Sequence, residues 1–343
     1  MTSSTDAVPA GAALPVGVVG CGRMGRLHAR VLSQIPRVKL IGVVDANARS
    51  AEEAARLYGC EPFTDPMQLL PRVKAVTIAV PTQAHLASAE PFLRAGIACL
   101  IEKPLAKDVA ECRRIVELAK AGNATVQVGH IERFNPVVRA LFELNLQPTF
   151  IEVLRVSPMT FRSIDVGVVL DMMIHDLDIV LKLAGSPVAR VEAVGGSVIG
   201  TVEDVCNARI TFENGCVANV TASRLAAGTD RRLRAFGKGG FASIDYAKKQ
   251  GAVIRRGDRL DFVRQAVAKV RAGEFVDLSG LKYEDLLKVE PLKVDEQDQL
   301  RAEQESFIDA LMQGKRPLVT AEDGAAAVEL ATRIVQAIRP QTL

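Results

Sequence analysis

Short apolar runs alternate with amphipathic stretches through the first 130 residues, and this alternation restricts the possible folds more than any other feature of the chain. Strands that are apolar at nearly every position are typical of a parallel sheet covered by helices on both faces. We therefore predict a doubly wound parallel α/β domain. Its predicted strands are PVGVVG (15–20), VKLIGVVD (38–45), AVTIAV (75–80), ACLIE (98–102) and TVQVGH (125–130), with helices near 22–35, 48–59, 83–95 and 108–121.

The pattern changes after residue 130. Asn135 and Pro136 suit the N-cap and the first position of a helix, and strand-like runs dominate from TFIEVLRV (149–156) onward. Asn-Gly in ENGC (213–216), between two alternating runs, is a strong β-hairpin signal. Further helices are predicted up to about residue 183 and at 296–313 and 321–338.

Three segments are therefore expected. Residues 1–14 form a disordered lead-in, 15–130 form the doubly wound domain, and 131–343 form an α+β domain with a large open, mostly antiparallel sheet. An open sheet face needs a cover, so we expect a homodimer or homotetramer that forms through that face.

The composition argues against several classes of protein. Charged residues make up 24% of the 343, the formal net charge is +3, and aromatic residues are 4% with no Trp, whereas nucleic-acid binding favours clustered basic and stacking aromatic residues. The sequence has no run of 18 uncharged apolar residues, so we expect no membrane span. Six scattered cysteines, without a CxxC pair or zinc-ligand spacing, are typical of reduced thiols in a cytoplasmic protein.

The segment GCGRMG (20–25) matches the pattern G-x-G-x-x-G, which becomes informative because a predicted strand precedes it and a helix follows. Gly20 would allow the tight turn, Gly22 the approach of the backbone to a pyrophosphate, and Gly25 close packing of the helix on the strand. The helix N-terminus would then face the phosphates. The context predicts the dinucleotide site of a Rossmann domain. The residues of this loop expected to contact the cofactor are Gly20, Gly22, Arg23, Met24 and Gly25.

Asp45 ends the second predicted strand, 20 positions after Gly25. A carboxylate there would accept a hydrogen bond from the ribose 2′-OH of NAD and would repel the 2′-phosphate of NADP. Arg49 lies close enough to leave NADP as the less favoured alternative. We therefore predict NAD.

Two further motifs follow predicted strands of the same sheet, and ligands bind at the carboxyl ends of such strands. In VPTQAHL (80–86), Pro81, Thr82 and His85 are predicted to line the cofactor cleft, with Thr82 as a helix N-cap as the rival or additional role. In IEKPL (101–105), Glu102 and Lys103 are predicted to lie at the cofactor. Burial there would lower the pKa of Lys103 and suit it to proton transfer.

The segment DMMIHDLD (171–178) places Asp171 and His175 at i and i+4, on one face of a helix. The pair could be a metal site, a catalytic pair or a polar helix surface. Metal is the weakest of the three, since a closed zinc site needs three or four ligands, and we predict no metal. His28 and His130 are expected to be structural hydrogen-bonding residues, and Asp176 and Asp178 are left without a role.

Taken in order, GCGRMGRLH, PTQAH, EKP and DMMIHDLD resemble the glucose–fructose oxidoreductase, inositol dehydrogenase and MocA (Gfo/Idh/MocA) family from about residue 15 to 331. The resemblance implies oxidation of a sugar or cyclitol hydroxyl with a nicotinamide cofactor. It implies that His175, oriented by Asp171, removes the hydroxyl proton, and that Lys103 assists and stabilises alkoxide charge. Many members have Gly where this chain has Met173, a difference expected to alter substrate fit.

The string GHIERFNP (129–136) resembles the branch of this family that acts on nucleotide sugars, especially the 3-OH of UDP-N-acetylglucosamine, in a route to lipid A variants. Arginine binds phosphate in a bidentate manner, so a diphosphate partner is expected among Arg133, Arg155 and Arg162, although Arg133 could instead pack locally beside Asn135. The residues predicted to bind substrate are Lys103, Arg133, Asn135, Arg155, Arg162 and His175. The alternatives are an inositol or free-sugar dehydrogenase and, in another class, a non-catalytic NAD-binding regulator.

Overall fold

The computed structural model describes residues 13–160, 165–199, 201–238, 240–257, 259–277, 280 and 282–340. The N-terminal segment contains β1 (Leu14–Val19), α1 (Arg23–Leu32), β2 (Val38–Val44), α2 (Ala48–Tyr58), β3 (Glu61–Phe63), β4 (Ala75–Ile78), α3 (His85–Arg94), β5 (Ala98–Glu102), α4 (Val109–Ala121) and β6 (Val126–Gly129). The middle segment contains α5 (Pro136–Glu143), β7 (Pro148–Val156), α6 (Ile174–Ala184), β8 (Val188–Gly196), β9 (Val205–Phe212), β10 (Val217–Ser223), β11 (Asp230–Gly237), β12 (Gly240–Asp245), β13 (Gln250–Arg256), α7 (Leu260–Arg271), α8 (Tyr283–Leu286) and β14 (Leu287–Pro291). The last elements are α9 (Gln299–Met312), α10 (Ala321–Ala337) and β15 (Ile338–Pro340).

The first sheet is parallel, with the strand order β3-β2-β1-β4-β5-β6. The chain runs outward in one direction from β1 and in the other from β4, so the connections leave a crevice beyond the carboxyl ends of these two strands. The predicted doubly wound domain and its five strands are confirmed. The edge strand β3 was not predicted, because its three residues are too few and too polar to give an apolar run.

The second sheet has the order β14-β13-β12-β11-β7-β10-β9-β8-β15 and is mostly antiparallel, with parallel pairs at β7–β10 and β8–β15. The predicted hairpin at ENGC is confirmed: Gly215 adopts a φ of 85°, and Phe212 N donates to Cys216 O at 2.8 Å. The helix at Asn135 is also confirmed, since the Asn135 side chain accepts from Val137 N and Pro136 occupies the first turn. Helices α7 and α8 lie in a stretch to which the sequence assigned no element.

Two compact units divide the chain, and the division differs from the predicted domains at the C-terminus. One unit contains Met1–Phe134 and Gln297–Gln336, and the other contains Asn135–Glu296 and Ala337–Leu343. Residues of α9 such as Leu300, Phe307 and Ile308 belong to the same hydrophobic cluster as β1 and α1. Their apolar surface is therefore buried in the first of these units, which carries the predicted dinucleotide loop and is called the nucleotide-binding unit, whereas the sequence placed 297–336 in the second domain. Within the described residues, no helix is both long and apolar enough to cross a membrane.

Candidate active site

The three glycines of the loop after β1 have the separate properties that a dinucleotide site requires. Gly20 adopts a φ of +101°, which disfavours any residue with a side chain. A Cβ at Gly25 would lie 1.7 Å from Gly20 O, so helix and turn pack in direct backbone contact, whereas a Cβ at Gly22 would meet nothing within 4 Å among the described atoms. The loop is therefore tightly packed on its inner side and open on its outer side, at the N-terminus of α1.

Asp45 follows β2 and is fixed by two backbone N–H groups. Its Oδ2 accepts from Cys21 N at 2.7 Å, and its Oδ1 accepts from Asn47 N at 2.9 Å. Arg49, the alternative partner for a 2′-phosphate, is directed at Glu53, which binds it at 3.0 Å and also binds Arg26 at 3.1 Å. These two guanidinium groups lower the pKa of Glu53, and the Arg49–Glu53 pair lies at the surface.

The loops after β4 and β5 are joined through His85. Its ring Nδ1 lies 3.0 Å from Pro104 O and its Nε2 lies 3.0 Å from Val80 O. Burial lowers the pKa of His85, although these carbonyls oppose the shift. Thr82 is the first residue of a 3-10 turn, Thr82–Ala84, and α3 begins after Ala84 without a side-chain cap within the described structure. The suggested N-cap role of Thr82 for this helix is therefore wrong, and its place in the cofactor cleft stays a prediction.

Glu102 is the last residue of β5, and half-buried Lys103 follows it. The Glu102 carboxylate accepts from Lys103 N at 3.1 Å through Oε2 and lies 2.7 Å from His28 Nε2 through Oε1. Burial raises the pKa of Glu102, but the hydrogen bond with His28 and the nearby Lys103 charge outweigh it, so the net shift is downward. The expectation that His28 is a structural hydrogen-bonding residue is confirmed.

Asp171 lies in a π-helical turn, Val169–Met173, and His175 is the second residue of α6, which follows this turn directly. Both residues are half-buried, while Met173, Ile174 and Asp176 around them are buried. The sequence predicted one continuous helix, and the inserted π turn was not visible in its periodicity. Such turns occur frequently at functional sites.

The start of this helix is held by two residues that the sequence did not indicate. Glu203 Oε1 accepts from Val169 N at 3.1 Å, and a Cβ at Gly167 would lie 2.0 Å from the same carboxylate. Arg224 donates to Val166 O at 2.6 Å and pairs with Asp204 at 3.1 Å. The segment that carries Asp171 is thus fastened from two distant positions of the chain.

Asp176, which the sequence left without a role, forms a buried ion pair with Arg155. The guanidinium donates from Nε to Oδ2 at 2.5 Å and from Nη2 to Oδ1 at 3.0 Å, and it also lies 5.3 Å from the centre of the Tyr246 ring. Arg155 therefore has a carboxylate partner in the interior, and its substrate role stays a prediction. Met173 is fully buried, so any effect on substrate fit would act through packing.

The remaining residues predicted to bind substrate lie in different parts of the structure. Arg133 is buried in a 3-10 turn, Ile131–Phe134, of the nucleotide-binding unit. Asn135 is buried in the second unit, where its amide nitrogen donates to Tyr246 O at 3.2 Å in addition to its cap contact. Arg162 lies outside the described residues. Asp178 and His130 are buried.

A nicotinamide dinucleotide fits the nucleotide-binding unit. The open outer side of Gly22 leaves the room that a pyrophosphate needs. Among the described residues no side chain caps the N-terminus of α1, so its backbone N–H groups can donate hydrogen bonds to phosphate oxygens. Asp45 supplies an acceptor for a ribose hydroxyl. Lys103 supplies an ammonium group at the carboxyl end of β5, where charge on a reacting oxygen could be stabilised.

Comparison with known proteins agrees with this geometry. The family described as oxidoreductases with an NAD-binding Rossmann fold matches residues 14–130, and the Gfo/Idh/MocA C-terminal domain matches residues 155–243. A UDP-N-acetylglucosamine 3-dehydrogenase from Acidithiobacillus ferrooxidans is 35% identical over 326 residues, covering 91% of this chain and 96% of that protein. Its solved structure has a TM-score of 0.84 at 31% identity and covers 95% of this chain and 97% of that one.

An inositol 2-dehydrogenase from Rhizobium meliloti is 27% identical over 345 residues, covering 94% of this chain and 96% of that protein. The matches extend over both units and nearly the full length of the relatives. The chain therefore belongs to the Gfo/Idh/MocA family and is a nicotinamide-dependent dehydrogenase that acts on CH–OH groups.

Proposed function

We propose that this enzyme oxidises a sugar hydroxyl to a ketone with NAD, and that its substrate is UDP-N-acetylglucosamine, oxidised at the 3-OH. The observation that carries this proposal is the 35% identity to a UDP-N-acetylglucosamine 3-dehydrogenase over 91% of the chain. The match to an inositol 2-dehydrogenase covers as much of the chain but is lower, at 27% identity. That lower match makes a cyclitol or free sugar the second candidate.

His175 is proposed to remove the hydroxyl proton, with Asp171 orienting its ring and stabilising the imidazolium that forms. Lys103 is proposed to stabilise the developing alkoxide with its ammonium charge. A bound nicotinamide supplies the hydride acceptor for the same carbon. The half-burial of Asp171, His175 and Lys103 supports these roles, because each residue is partly desolvated and partly exposed.

The preference for NAD is supported by Asp45, whose carboxylate would repel a 2′-phosphate. The competing cation, Arg49, forms a surface ion pair with Glu53 at 3.0 Å. We expect NADP to be used poorly by the native enzyme. Replacement Asp45→Ser is expected to raise turnover with NADP relative to NAD, since it removes the repelling charge.

Arg133 is the proposed partner of the substrate diphosphate, with Arg162 as a second candidate, while Arg155 already has Asp176 as a carboxylate partner. Loss of Arg133 should raise the KM for UDP-N-acetylglucosamine far more than the KM for an uncharged sugar. A guanidinium–phosphate contact is charge-assisted, so about 1.5–3 kcal/mol of binding is at stake.

Homo-oligomerisation through the open face of the second sheet is also proposed. Outward-facing residues Phe150, Phe236 and Phe241 are paired across β7, β11 and β12. Their ring centroids lie 5.7 and 4.9 Å apart, and all three rings are only half-buried. An aromatic row of this kind favours a protein partner, and a second copy of the chain would cover it.

The decisive experiment follows reduction of NAD with UDP-N-acetylglucosamine, N-acetylglucosamine and myo-inositol in parallel. We expect turnover of the UDP-sugar, and transfer of deuterium to the cofactor from substrate labelled at C3. Oxidation of myo-inositol with no reaction of the UDP-sugar would refute the proposed substrate. Tight NAD binding with no turnover of any sugar or cyclitol would instead indicate a regulator.

The proposed roles of Lys103 and His175 can be tested separately from cofactor binding. Lys103→Met and His175→Asn should each abolish turnover while NAD affinity stays near the native value. Lys107→Met is a matched control, because Lys107 lies four residues further on and pairs with Glu111 at the surface. A large loss of NAD affinity in the Lys103 variant would assign that residue to the cofactor rather than to the reaction.

A further inference from the structure

A buried polar cluster lies directly beneath the Glu102–Lys103 segment, within the nucleotide-binding unit. It contains His28 from α1, Glu102 from β5, and Glu303 and Gln304 from α9, and all four are buried. A ring nitrogen of His28 and carboxylate oxygens of Glu102 and Glu303 lie within 4.8 Å of one another. The proposed reaction does not use His28, Glu303 or Gln304, so the burial of these three polar side chains needs another explanation.

The cluster contains a continuous chain of hydrogen bonds that ends at the Lys103 backbone. The Gln304 amide nitrogen donates to His28 Nδ1, which leaves the proton of the ring on Nε2. Nε2–H donates to Glu102 Oε1 at 2.7 Å, and Glu102 Oε2 accepts from Lys103 N at 3.1 Å. The Glu102 side chain also packs on Gly129, where a Cβ would lie 3.1 Å from Oε2.

Glu303 is the member of the cluster that does not fit an ionised carboxylate. Among the described residues neither of its side-chain oxygens has a hydrogen-bond partner, and an isolated buried carboxylate is strongly disfavoured. Burial, and then the charge of Glu102, raise the pKa of Glu303 well above its usual value. A protonated Glu303 has one O–H to donate, and a carboxylate oxygen of Glu102 lies within 4.8 Å of it.

Charged and titratable groups on several elements lie around the Glu102–Glu303 pair or act on Glu102. His28 lies on α1, Glu102 and Lys103 lie at the end of β5, and His85 on α3 senses the Glu102 charge. From β6, Gln127 donates to the Glu303 backbone carbonyl at 2.9 Å. The turn Ile131–Phe134, which also packs against α9, carries Glu132 and Arg133. Glu102 is the group that acts on the Glu303 carboxyl by charge.

A divalent cation is the competing explanation for three ligand-type atoms at this spacing. Two observations disfavour it. The His28 and Glu102 atoms are already hydrogen-bonded to each other at 2.7 Å, and all three residues are enclosed, whereas a metal site needs an entry path. A proton on Glu303 would remove the repulsion between the two carboxyl groups without a cation.

We infer that Glu303 is a positioning residue: its carboxyl group donates a hydrogen bond to Glu102 and, with His28, holds the Glu102–Lys103 segment in the place from which Lys103 acts. The inference rests on the proposed role of Lys103. It makes α9, some 200 residues further along the chain, part of the support of the reacting group. Misplacement of a reacting group by about 1 Å can cost roughly 100-fold in rate, so this support has a functional consequence.

The test compares Glu303→Gln, which keeps a neutral donor, with Glu303→Leu, which removes it. Glu305→Gln on the same helix is the matched control, because Glu305 is bound to Arg301 outside the cluster. Glu303→Leu is expected to lower kcat by roughly 10- to 100-fold with KM for NAD unchanged, and Glu303→Gln is expected to restore kcat. In alkaline solution the native enzyme should lose kcat as Glu303 ionises beside Glu102, and Glu303→Gln should lose less.

Hydrogen exchange of the Lys103 amide adds a readout that needs no substrate. Its protection should fall in Glu303→Leu and return in Glu303→Gln. Native kcat and native Lys103 protection in Glu303→Leu, or identical alkaline profiles for Glu303→Gln and Glu305→Gln, would overturn the inference. A stoichiometric divalent metal in the purified protein that both Glu303 variants lose would also overturn it. If the native enzyme prefers another sugar, kcat is measured with that sugar, so failure of the proposed substrate is distinguishable from failure of this inference.

Discussion

Gly22 and Gly25 should respond to the same substitution in opposite ways, because their surroundings differ. Gly22 has φ −67° and ψ −169°, a conformation that alanine adopts readily, and its Cβ would meet nothing within 4 Å among the described atoms. Gly22→Ala stabilises the folded protein by reducing the conformational entropy of the unfolded chain, and it destabilises the protein by replacing a favourable N-cap residue. The net change in the free energy of unfolding is therefore below about 1 kcal/mol. The new methyl group nevertheless projects into the space that a pyrophosphate needs.

The methyl group of Gly25→Ala would instead collide with backbone atoms. Its Cβ would start 1.7 Å from Gly20 O and must reach at least 3.0 Å, so α1 and the turn must separate by about 1.3 Å. Overpacking of this kind costs about 1–3 kcal/mol, and it also displaces the helix N-terminus. We expect Gly25→Ala to lower both Tm and NAD affinity.

Calorimetric titration with NAD, together with a thermal melt of each variant, separates the two effects. Gly22→Ala should keep the native Tm and raise the Kd for NAD by at least about tenfold, which is 1.4 kcal/mol. Gly59→Ala, at a helix end with φ 68°, serves as a control for strain remote from the loop, with reduced Tm and native Kd. Native NAD affinity in Gly22→Ala would show that the dinucleotide does not bind at this loop, and the reasoning would fail.

Three further outcomes are expected. Asp176→Asn or Arg155→Met should each lower the free energy of unfolding in urea by about 3–5 kcal/mol, because one buried charge loses its partner, while the double variant Arg155→Met/Asp176→Leu should recover most of it. Glu303→Gln should raise the free energy of unfolding at alkaline pH. The folded-state pKa of Glu303 is raised, so the stabilisation from protonated Glu303 is complete below the unfolded-state pKa and is lost as pH rises through the folded-state pKa. Glutamine does not ionise and loses no stability in this way. The Tm difference between variant and native enzyme should therefore grow with pH, and a constant difference would contradict the sign. Phe236→Asp should reduce the apparent mass in size-exclusion chromatography if the aromatic row forms the subunit interface, and an unchanged mass would exclude that face.

The nucleotide-binding features were predictable because they depend on short-range sequence. A strand, a glycine turn and a helix follow one another within 20 residues, and each glycine is required by local backbone geometry. The same holds for the hairpin at Gly215 and the N-cap at Asn135, where the signal and the structure occupy the same few residues. These elements were read correctly from order and spacing alone.

The supports of the candidate site were not predictable for the opposite reason. Glu203 and Arg224 hold the helix of Asp171 from more than 30 positions away, and Glu303 reaches the Glu102 segment from 201 positions along the chain, the difference between 303 and 102. No local pattern marks such residues, since a polar side chain in an amphipathic helix ordinarily faces water. Glu303 lies in AEQESF, among residues of the buried face of α9. That position indicates a buried carboxyl group only once α9 is known to pack on α1.

The two units therefore position their proposed reactive groups by different physical means. In the nucleotide-binding unit, backbone packing of Gly20 and Gly25 and the carboxyl ends of adjacent strands fix the site, so substitutions there act on folding and cofactor binding together. In the second unit, a π turn is fixed by side-chain contacts from Glu203 and Arg224, and contacts of this kind can change one at a time. Variation in the hydroxyl compound that is oxidised can thus arise in the second unit without disturbing the nucleotide site, which is the arrangement expected of a family that applies one redox chemistry to several substrates.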